Sequence, residues 1–351
     1  MKRRRRLCIL LSLILIMLSG CKTEEPDKKV EEKPADDKIQ IGMSFDSFVI
    51  ERWQRDRDVF VSVAKEMGAE VNVQNANGDI EEQKKQIDYF IQKGMDAIVI
   101  ICIDSDSLAD SVKKAKDAGI KVIAYDRLIH NANVDLYVSF DNYEVGTLMG
   151  QAVVDAGPAG NKVIMLGGTT ADDNVAQVEA GFTQIMDDNH IEILDVMHAD
   201  GWRAELAGEY VYNNLDLIEQ ADGIMCGNDN MASRVVHALS ENRLAGEKIV
   251  VGQDADLEAC QRIVEGTQVM TVYKPVEKLA TRAAECTIQL VKGESIEGEG
   301  VEAFNDGSYD VPYVRLDPIA VTESNMNEVI INSGFHLKED VYLNVPAKMP
   351  N

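Results

Sequence analysis

Short apolar segments alternate with helical segments along almost the whole chain, and this alternation limits the fold more than any other feature. The apolar segments are nearly continuous, as in 97–103 and 122–125. Strands buried on both faces have this composition, because helices cover both sides of a parallel sheet. Apolar residues at helical spacing lie between them, for example over 53–67 and 80–92. The pattern predicts an α/β fold built on parallel sheets.

The strand pattern stops and restarts near the middle of the chain, which indicates two doubly wound parallel-sheet lobes. Residues 21–351 are also too many for one core of ordinary size. We place the first boundary near 142–144, and a late helix at 275–292 and a strand at 311–316 allow the chain to cross back. The expected N-terminal lobe is 38–142 plus about 276–305, and the expected C-terminal lobe is 143–275 plus about 306–345.

The first 37 residues have the pattern of an export signal followed by a tether. Five basic residues at 2–6 precede an apolar run at 7–18, which is shorter than the roughly 20 residues that span a membrane. Cys21 follows Leu-Ser-Gly, which resembles the bacterial lipobox, where that cysteine is lipidated. An ordinary cleaved signal with an incidental cysteine is the alternative. We expect a signal peptide at 1–20, lipidation at Cys21, a flexible linker at 21–37 and an extracytoplasmic protein anchored to the cell membrane.

Charge and composition exclude several classes of function. The formal net charge is −25, and removal of the five cations of the signal would leave about −30, so nucleic acid is not an expected partner. The five histidines show no metal-binding spacing, and Gly167-Gly168-Thr169 lacks the phosphate-loop pattern. We therefore expect no metal and no cofactor. Cys102 and Cys226 end apolar runs and are interpreted as buried small hydrophobic residues.

Polar and aromatic side chains follow seven of the predicted strands, at the edge where ligands bind in such sheets. They are Arg52-Trp53, Asp126-Arg127, Asp172-Asp173-Asn174, Trp202, Asn228, Asp254 and Lys274. Asp, Asn and Arg can each bridge neighbouring hydroxyls of a pyranose, and the indoles of the two tryptophans can pack on its C–H faces. The competing interpretation is that Asp172, Asp173 and Asn228 only cap the next helices.

Several stretches resemble the type I periplasmic binding proteins of bacterial sugar uptake, and among them the proteins that bind D-xylose. These stretches are Glu51-Arg52-Trp53-Gln54, Ala124-Tyr125-Asp126-Arg127, Ser139-Phe140-Asp141-Asn142, Gly252-Gln253-Asp254-Ala255-Asp256 and Tyr273-Lys274-Pro275. The resemblance extends from Ile39 to about Phe335. It implies two lobes joined by three crossovers, with the hinge near 142–144, 274–276 and about 305–308, that close on one monosaccharide. D-xylose or a similar aldopyranose is the favoured ligand, and the permease of an ABC transporter is the implied partner of a monomeric protein.

The resemblance also assigns site residues to the two lobes. In the first lobe it implies ligand contacts from Arg52, Trp53, Asp126 and Arg127. In the second lobe or on the hinge side it implies contacts from Asp172, Asn174, Trp202, Asn228, Asp254 and Lys274. The chain departs from the family where Glu179 precedes Ala180-Gly181, because relatives often have an arginine there. That departure puts the affinity or the preferred sugar in doubt.

Other classes of function explain the sequence less well. A glycan-active enzyme would use a carboxylate pair such as Asp126 and Asp254, but Arg127 and Lys274 beside them favour the ionised forms, which suits binding better than acid catalysis. We therefore do not expect an enzyme. A sugar-responsive repressor would need a basic DNA-binding segment where the export signal lies. A sugar sensor that presents its closed form to a membrane histidine kinase remains an open alternative to transport.

Overall fold

The computed structural model describes residues 38–296, 298 and 300–350. The predicted signal, Cys21 and the tether lie outside the described residues. Within the described residues the strands are β1 (Ile39–Phe45), β2 (Ala69–Asn75), β3 (Ala97–Ile100), β4 (Lys121–Tyr125), β5 (Leu136–Phe140), β6 (Lys162–Gly167), β7 (Glu192–His198), β8 (Gly223–Cys226), β9 (Ile249–Gln253), β10 (Met270–Tyr273), β11 (Val301–Asn305), β12 (Asp310–Leu316) and β13 (Ile319–Val321).

Helices alternate with these strands. The α-helices are α1 (Arg52–Glu66), α2 (Ile80–Lys93), α3 (Ala109–Asp117), α4 (Asn142–Ala156), α5 (Asp173–Asp188), α6 (Glu205–Asn213), α7 (Leu215–Gln220), α8 (Asp229–Glu241), α9 (Leu257–Glu265), α10 (Val276–Val291) and α11 (Lys338–Val341). The helix predicted from Glu205 to Leu217 is divided at Asn214 into α6 and α7.

The strands form two mostly parallel sheets, which confirms the predicted α/β fold of two lobes. The order in the first sheet is β11-β12-β5-β4-β3-β1-β2, and the order in the second is β13-β10-β9-β8-β6-β7. The terminal pairs β11–β12 and β10–β13 are antiparallel. All residues of β3 and β8 are buried, as expected for strands covered by helices on both sides.

The last boundary between the lobes differs from the prediction. Strand β12 was assigned to the second lobe with residues 306–345, but it pairs in parallel with β5 of the first sheet. The backbone N–H of Asn131 also donates to the carbonyl of Asp306, which ties the predicted third hinge point to the first lobe. The chain therefore crosses between the sheets near 141–142, near 274–276 and between β12 and β13.

Helices α4 and α5 pack closely at the start of the second lobe. A Cβ atom on Gly146 would lie 1.9 Å from the carbonyl oxygen of Val178, and one on Gly181 would lie 2.0 Å from that of Tyr143. Only glycine permits this approach of two backbones. The contact holds α5, whose first turn faces the other lobe, in a fixed position on the second sheet.

Cys102 and Cys226 are completely buried, as predicted, and the described cysteines are free thiols. Among the described helices, none combines the length and the apolar composition needed to cross a membrane.

Candidate ligand-binding cavity

A cavity that encloses about 330 Å³ of space outside the atoms, including open solvent, lies between the two lobes. All ten residues to which the resemblance assigns ligand contacts line it, with three more. The lining residues are Ile50, Arg52, Trp53, Asp126, Arg127, Asn142, Asp172, Asn174, Trp202, Asn228, Gln253, Asp254 and Lys274. Their role as ligand contacts remains a prediction.

The ends of parallel strands bring most of these side chains together. Asp126 and Arg127 directly follow β4, Asp254 follows β9 and Lys274 follows β10. The carboxyl ends of parallel strands meet at one edge of a sheet, so these residues converge although they lie far apart in the chain. The lobes face each other across these edges.

Arg52, at the first position of α1, is the centre of a buried charge network. Its Nη2 lies 2.9 Å from Asp126 Oδ2, and its Nε and Nη2 lie 3.2 and 3.0 Å from the two oxygens of Asp56. Burial alone would lower the pKa of Arg52, but the two carboxylates outweigh it and raise that pKa well above its usual range. Tyr125 donates its hydroxyl to Asp56, so this carboxylate is held from two sides.

Asp126 remains ionised in this network. Burial alone would raise its pKa, but Arg52, Lys274 and Arg127 outweigh that effect and lower it. An ionised carboxylate only accepts hydrogen bonds, so Asp126 suits a ligand hydroxyl and not the role of a catalytic acid.

Arg127 links the two lobes across the cavity. Its Nη1 lies 2.8 Å from Asp46 of the first lobe, and its Nε lies 2.7 Å from Asp172 of the second. A second link is made by Asn174, whose Nδ2 donates to the carbonyl of Asp126 at 3.1 Å. The structure therefore shows the lobes in direct contact around the cavity.

Several buried polar atoms of the cavity wall have no hydrogen-bond partner among the residues that the structure describes. Four are donors and one is an acceptor: Trp53 Nε1, Arg127 Nη2, Trp202 Nε1, Asn228 Nδ2 and Gln253 Oε1. Leaving such a group unsatisfied costs about 1–3 kcal/mol. A ligand that presents several hydroxyls would satisfy them, so the cavity has the hydrogen-bonding pattern of a polyol site.

Asp172 and Asn228 each cap a helix and also line the cavity. Asp172 Oδ1 accepts from the backbone of Asn174 as an N-cap, while its Oδ2 binds Arg127. Asn228 Oδ1 likewise caps α8 by accepting from Met231, while its Nδ2 has no hydrogen-bond partner among the described residues. Asp173 is not a cap, because it is the first residue of α5.

The two tryptophans come from opposite lobes. Trp53 is 1 % exposed and stacks edge-on against Phe45, with the Arg52 guanidinium 4.6 Å from its ring centre. Trp202 lies on Gly168, where a Cβ atom would approach its ring to 2.3 Å. Glycine is therefore required under the second indole.

Three cavity residues have left-handed backbones, which non-glycine residues rarely adopt. The φ angles are 64° at Asp126, 58° at Trp202 and 100° at Asp254. Such strain persists where the surrounding structure enforces it, and it is common at binding sites.

Three residues of the cavity wall were not predicted from the sequence: Ile50, Asn142 and Gln253. Gln253 is held by a 2.6 Å hydrogen bond from its Nε2 to the carbonyl of Gly227, so its Oε1 faces the cavity. Asn142 donates to Asn174 Oδ1 at 3.0 Å. Both polar residues lie within the stretches quoted for the family resemblance, and recognition of β5 would have placed Asn142 at a strand end.

Glu179 does not line this cavity. It contacts His198 at 2.8 Å and lines a smaller adjoining space with Trp202 and Gln253. Burial raises the pKa of Glu179 although His198 partly compensates. The side chain at position 179, where relatives often have an arginine, therefore lies beside the cavity and not in its wall.

The fold and the cavity define a two-lobed binding protein, and comparison with known proteins identifies its family. Residues 41–295 match the family model described as periplasmic binding protein domain, and the chain belongs to this family. The resemblance noted in the sequence is thereby confirmed.

Two similar relatives are described as D-xylose-binding periplasmic proteins. The one from Haemophilus influenzae is 44 % identical over 309 residues, covering 87 % of this chain and 92 % of the relative. The one from Escherichia coli K12 is 41 % identical over 308 residues, covering 86 % of this chain and 92 % of the relative. These relatives are binding proteins and not enzymes, which confirms the expectation that the chain has no catalytic role.

Solved structures agree with this assignment. A solute-binding protein of an ABC transporter from Clostridium phytofermentans, with bound β-D-glucose, has a TM-score of 0.77 at 26 % identity over 86 % of this chain and 99 % of its own. A carbohydrate transporter solute-binding protein from Chloroflexus aurantiacus, in complex with D-glucose, has a TM-score of 0.78 at 25 % identity. The match covers 86 % of this chain and 98 % of that protein.

Proposed function

We propose that this protein binds D-xylose, or a closely similar aldopyranose, between its lobes outside the cytoplasm. The observation that carries the proposal is the buried cavity with four unpartnered donors, one unpartnered acceptor and a tryptophan from each lobe. The two relatives at 41 and 44 % identity, described as D-xylose-binding, support the choice of sugar.

Calorimetric titration with D-xylose, D-ribose, D-glucose and L-arabinose tests the proposed ligand. We expect saturable binding that is tightest for D-xylose, and a hundredfold excess over Kd should stabilise the fold by about 2.7 kcal/mol. The absence of both a heat of binding and a melting shift for all four sugars would contradict the proposal.

We propose further that the sugar drives closure of the lobes. Each lobe supplies part of the cavity wall, so a ligand makes its full set of contacts only in the closed form, and this difference shifts the equilibrium. The three crossings near 141–142, 274–276 and 316–319 would serve as the hinge. Small-angle scattering should show a smaller radius of gyration with saturating sugar than without it.

Delivery to the permease of an ABC transporter is the proposed biological role. The similar solute-binding proteins of ABC transporters support this role. Cells that lack the protein should take up labelled D-xylose more slowly, and the intact gene should restore the rate. Unchanged uptake at low sugar concentration would contradict delivery.

The lipid anchor at Cys21 is proposed from the sequence around it. Cys21→Ala should abolish labelling with a fatty acid and release the protein from the membrane fraction, whereas Cys102→Ala should change neither. Equal membrane association of the Cys21→Ala protein would contradict the anchor.

A further inference from the structure

His130 bridges the two lobes outside the cavity wall. It lies in the first-lobe loop between β4 and β5. Its Nδ1 is 2.8 Å from Asp106 Oδ1 of the same lobe, and its Nε2 is 3.1 Å from Asp173 Oδ1 at the start of α5 in the second lobe. The imidazole is therefore located between two carboxylates that belong to different lobes.

The chemistry of this contact requires a proton. A neutral imidazole has one N–H donor, whereas the imidazolium has two, and an ionised carboxylate only accepts. Both contacts are satisfied together only when His130 is protonated. In the neutral ring, the lone pair of one nitrogen would face a carboxylate oxygen.

The surroundings of the ring favour the protonated form. The charged side chains that contact the ring, among the described residues, are Asp106 and Asp173. The neighbouring Asp172 is directed to Arg127 instead. Partial burial alone would lower the pKa of His130, but the hydrogen bond to Asp106 and the charge of Asp173 outweigh it and raise that pKa.

Asp173 connects this contact to the ligand cavity. It lies between Asp172 and Asn174, which both line the cavity. Its backbone N–H donates to Ser105 Oγ at 3.2 Å, and Ser105 N–H donates to the carbonyl of Ala171 at 2.9 Å. The first turn of α5 is thus fixed against the first lobe at the point where it supplies two cavity side chains.

We propose that His130 is a positioning residue that holds the first turn of α5 against the first lobe when it is protonated, and that it makes sugar affinity depend on pH. The inference rests on the proposed sugar binding and lobe closure. His130 acts through Asp173 and does not line the cavity.

The sign of the effect follows from the two conformations. In an open form the ring keeps Asp106 but loses Asp173, so the pKa of His130 is higher in the closed form. Closure therefore takes up protons. Affinity is highest at pH values below the open-form pKa and falls as pH rises through the closed-form pKa, in a window above about 6.5. Because an ion pair of a partly exposed side chain contributes little, we expect Kd to rise by at most about fivefold across this range of pH.

Calorimetric Kd values for D-xylose between pH 5.5 and 8.5 test the inference in three variants. His130→Gln keeps a neutral donor and should remove the slope. Asp106→Asn changes an exposed side chain. It should shift the pH range in which Kd changes to lower pH without abolishing the change, because His130 still contacts Asp173 only in the closed form. His237→Gln is the matched control, since His237 is exposed and pairs with Glu241 on its own helix at 3.7 Å. It should keep the slope of the natural protein.

The outcomes separate the inference from the function on which it rests. D-xylose binding that is independent of pH in the natural protein, or an unchanged slope in His130→Gln, would overturn the role of His130 alone. If His130→Gln does not fold, the Asp106→Asn series decides, and an unmoved window would overturn the role. No binding of any of the four sugars at pH 6 would overturn the proposed function and this inference with it.

Discussion

Two buried carboxylates, one in each lobe, are stabilised in different ways. Asp126 of the first lobe lies 2.9 Å from Arg52, and nearby cations lower its pKa despite burial. Asp229 of the second lobe accepts from Thr271 Oγ1 at 2.6 Å and from Gln268 Nε2 at 2.9 Å. Burial outweighs the charge of Arg262 and these hydrogen bonds, and raises the pKa of Asp229 to about 7.

The difference follows the location of the two groups. Asp126 lines the cavity, where a ligand needs an acceptor of constant charge. Asp229 lies behind the wall, beneath Gly252, where a Cβ atom would come within 2.3 Å of its Oδ1. Charges that face the ligand are therefore paired with cations, whereas this carboxylate behind the wall is held largely by neutral donors.

Arg127→Met should have the largest effect, because it removes the buried cation that bridges the two lobes. Asp46 and Asp172 would both lose their ion pair while buried. Breaking a buried pair costs about 3–5 kcal/mol, so the free energy of unfolding should fall by this order and sugar binding should be lost. Urea denaturation and calorimetry measure the two effects. Lys85→Gln, in an exposed pair, is the control and should change stability by less than about 1 kcal/mol.

Asp229→Asn should change the pH dependence of stability. The pKa of Asp229 in the folded protein, about 7, is above its unfolded value, so its contribution to stability is complete below about pH 4 and is lost as pH rises toward 7. Relative to the natural protein, the variant should gain stability over this window, by at most about 1.4 kcal/mol per pH unit. The free energy of unfolding is compared between the variant and the natural protein from pH 4 to 7.5. If the difference stays constant over this range, Asp229 has no raised pKa, and the contrast with the lowered pKa of Asp126 is refuted.

Trp202→Ala should weaken sugar binding by about 1–3 kcal/mol, which is roughly five- to 150-fold in Kd. The indole supplies a cavity surface and an unpartnered N–H donor. Titration of the variant with D-xylose measures the loss, and Tyr309→Ala, at an exposed aromatic residue, serves as the control. Normal affinity in Trp202→Ala would make this tryptophan a core residue only.

Asn228 allows capping to be separated from binding, with the smallest expected effect. Asn228→Ala should lose the N-cap of α8 and about 1 kcal/mol of stability. Asn228→Asp keeps the capping oxygen but replaces the unpartnered donor with an acceptor, so stability should be nearly retained while affinity falls. If both variants bind D-xylose normally, Asn228 is only a cap.

The fold could be predicted from the sequence because most of its strands are apolar on both faces. The apolar segment at 122–125 lies within β4, and the segment at 97–103 contains β3. Strand β5 was not recognised, because Tyr137 and Ser139 interrupt its apolar run. The assignment of β12 to the wrong lobe has a different cause. Its pairing with β5 joins residues far apart in the chain, and no local pattern reports such a contact.

Site residues could be predicted where a polar or charged residue follows a strand, as at Asp126, Arg127 and Lys274. The ion pairs and hydrogen bonds that these residues make could not be predicted. Nothing local in the sequence indicates that Arg127 binds Asp172 of the other lobe, or that His130 contacts Asp173. The left-handed backbone at Trp202 is also set by tertiary structure, since tryptophan does not favour that conformation.

A crystal structure of the protein with D-xylose tests the central claim most directly. The account predicts one pyranose between the lobes, with its hydroxyls on Arg127 Nη2, Asn228 Nδ2 and Gln253 Oε1, and with its C–H faces against Trp53 and Trp202. A sugar bound elsewhere on the molecule, or a cavity still without sugar at saturating concentration, would contradict it.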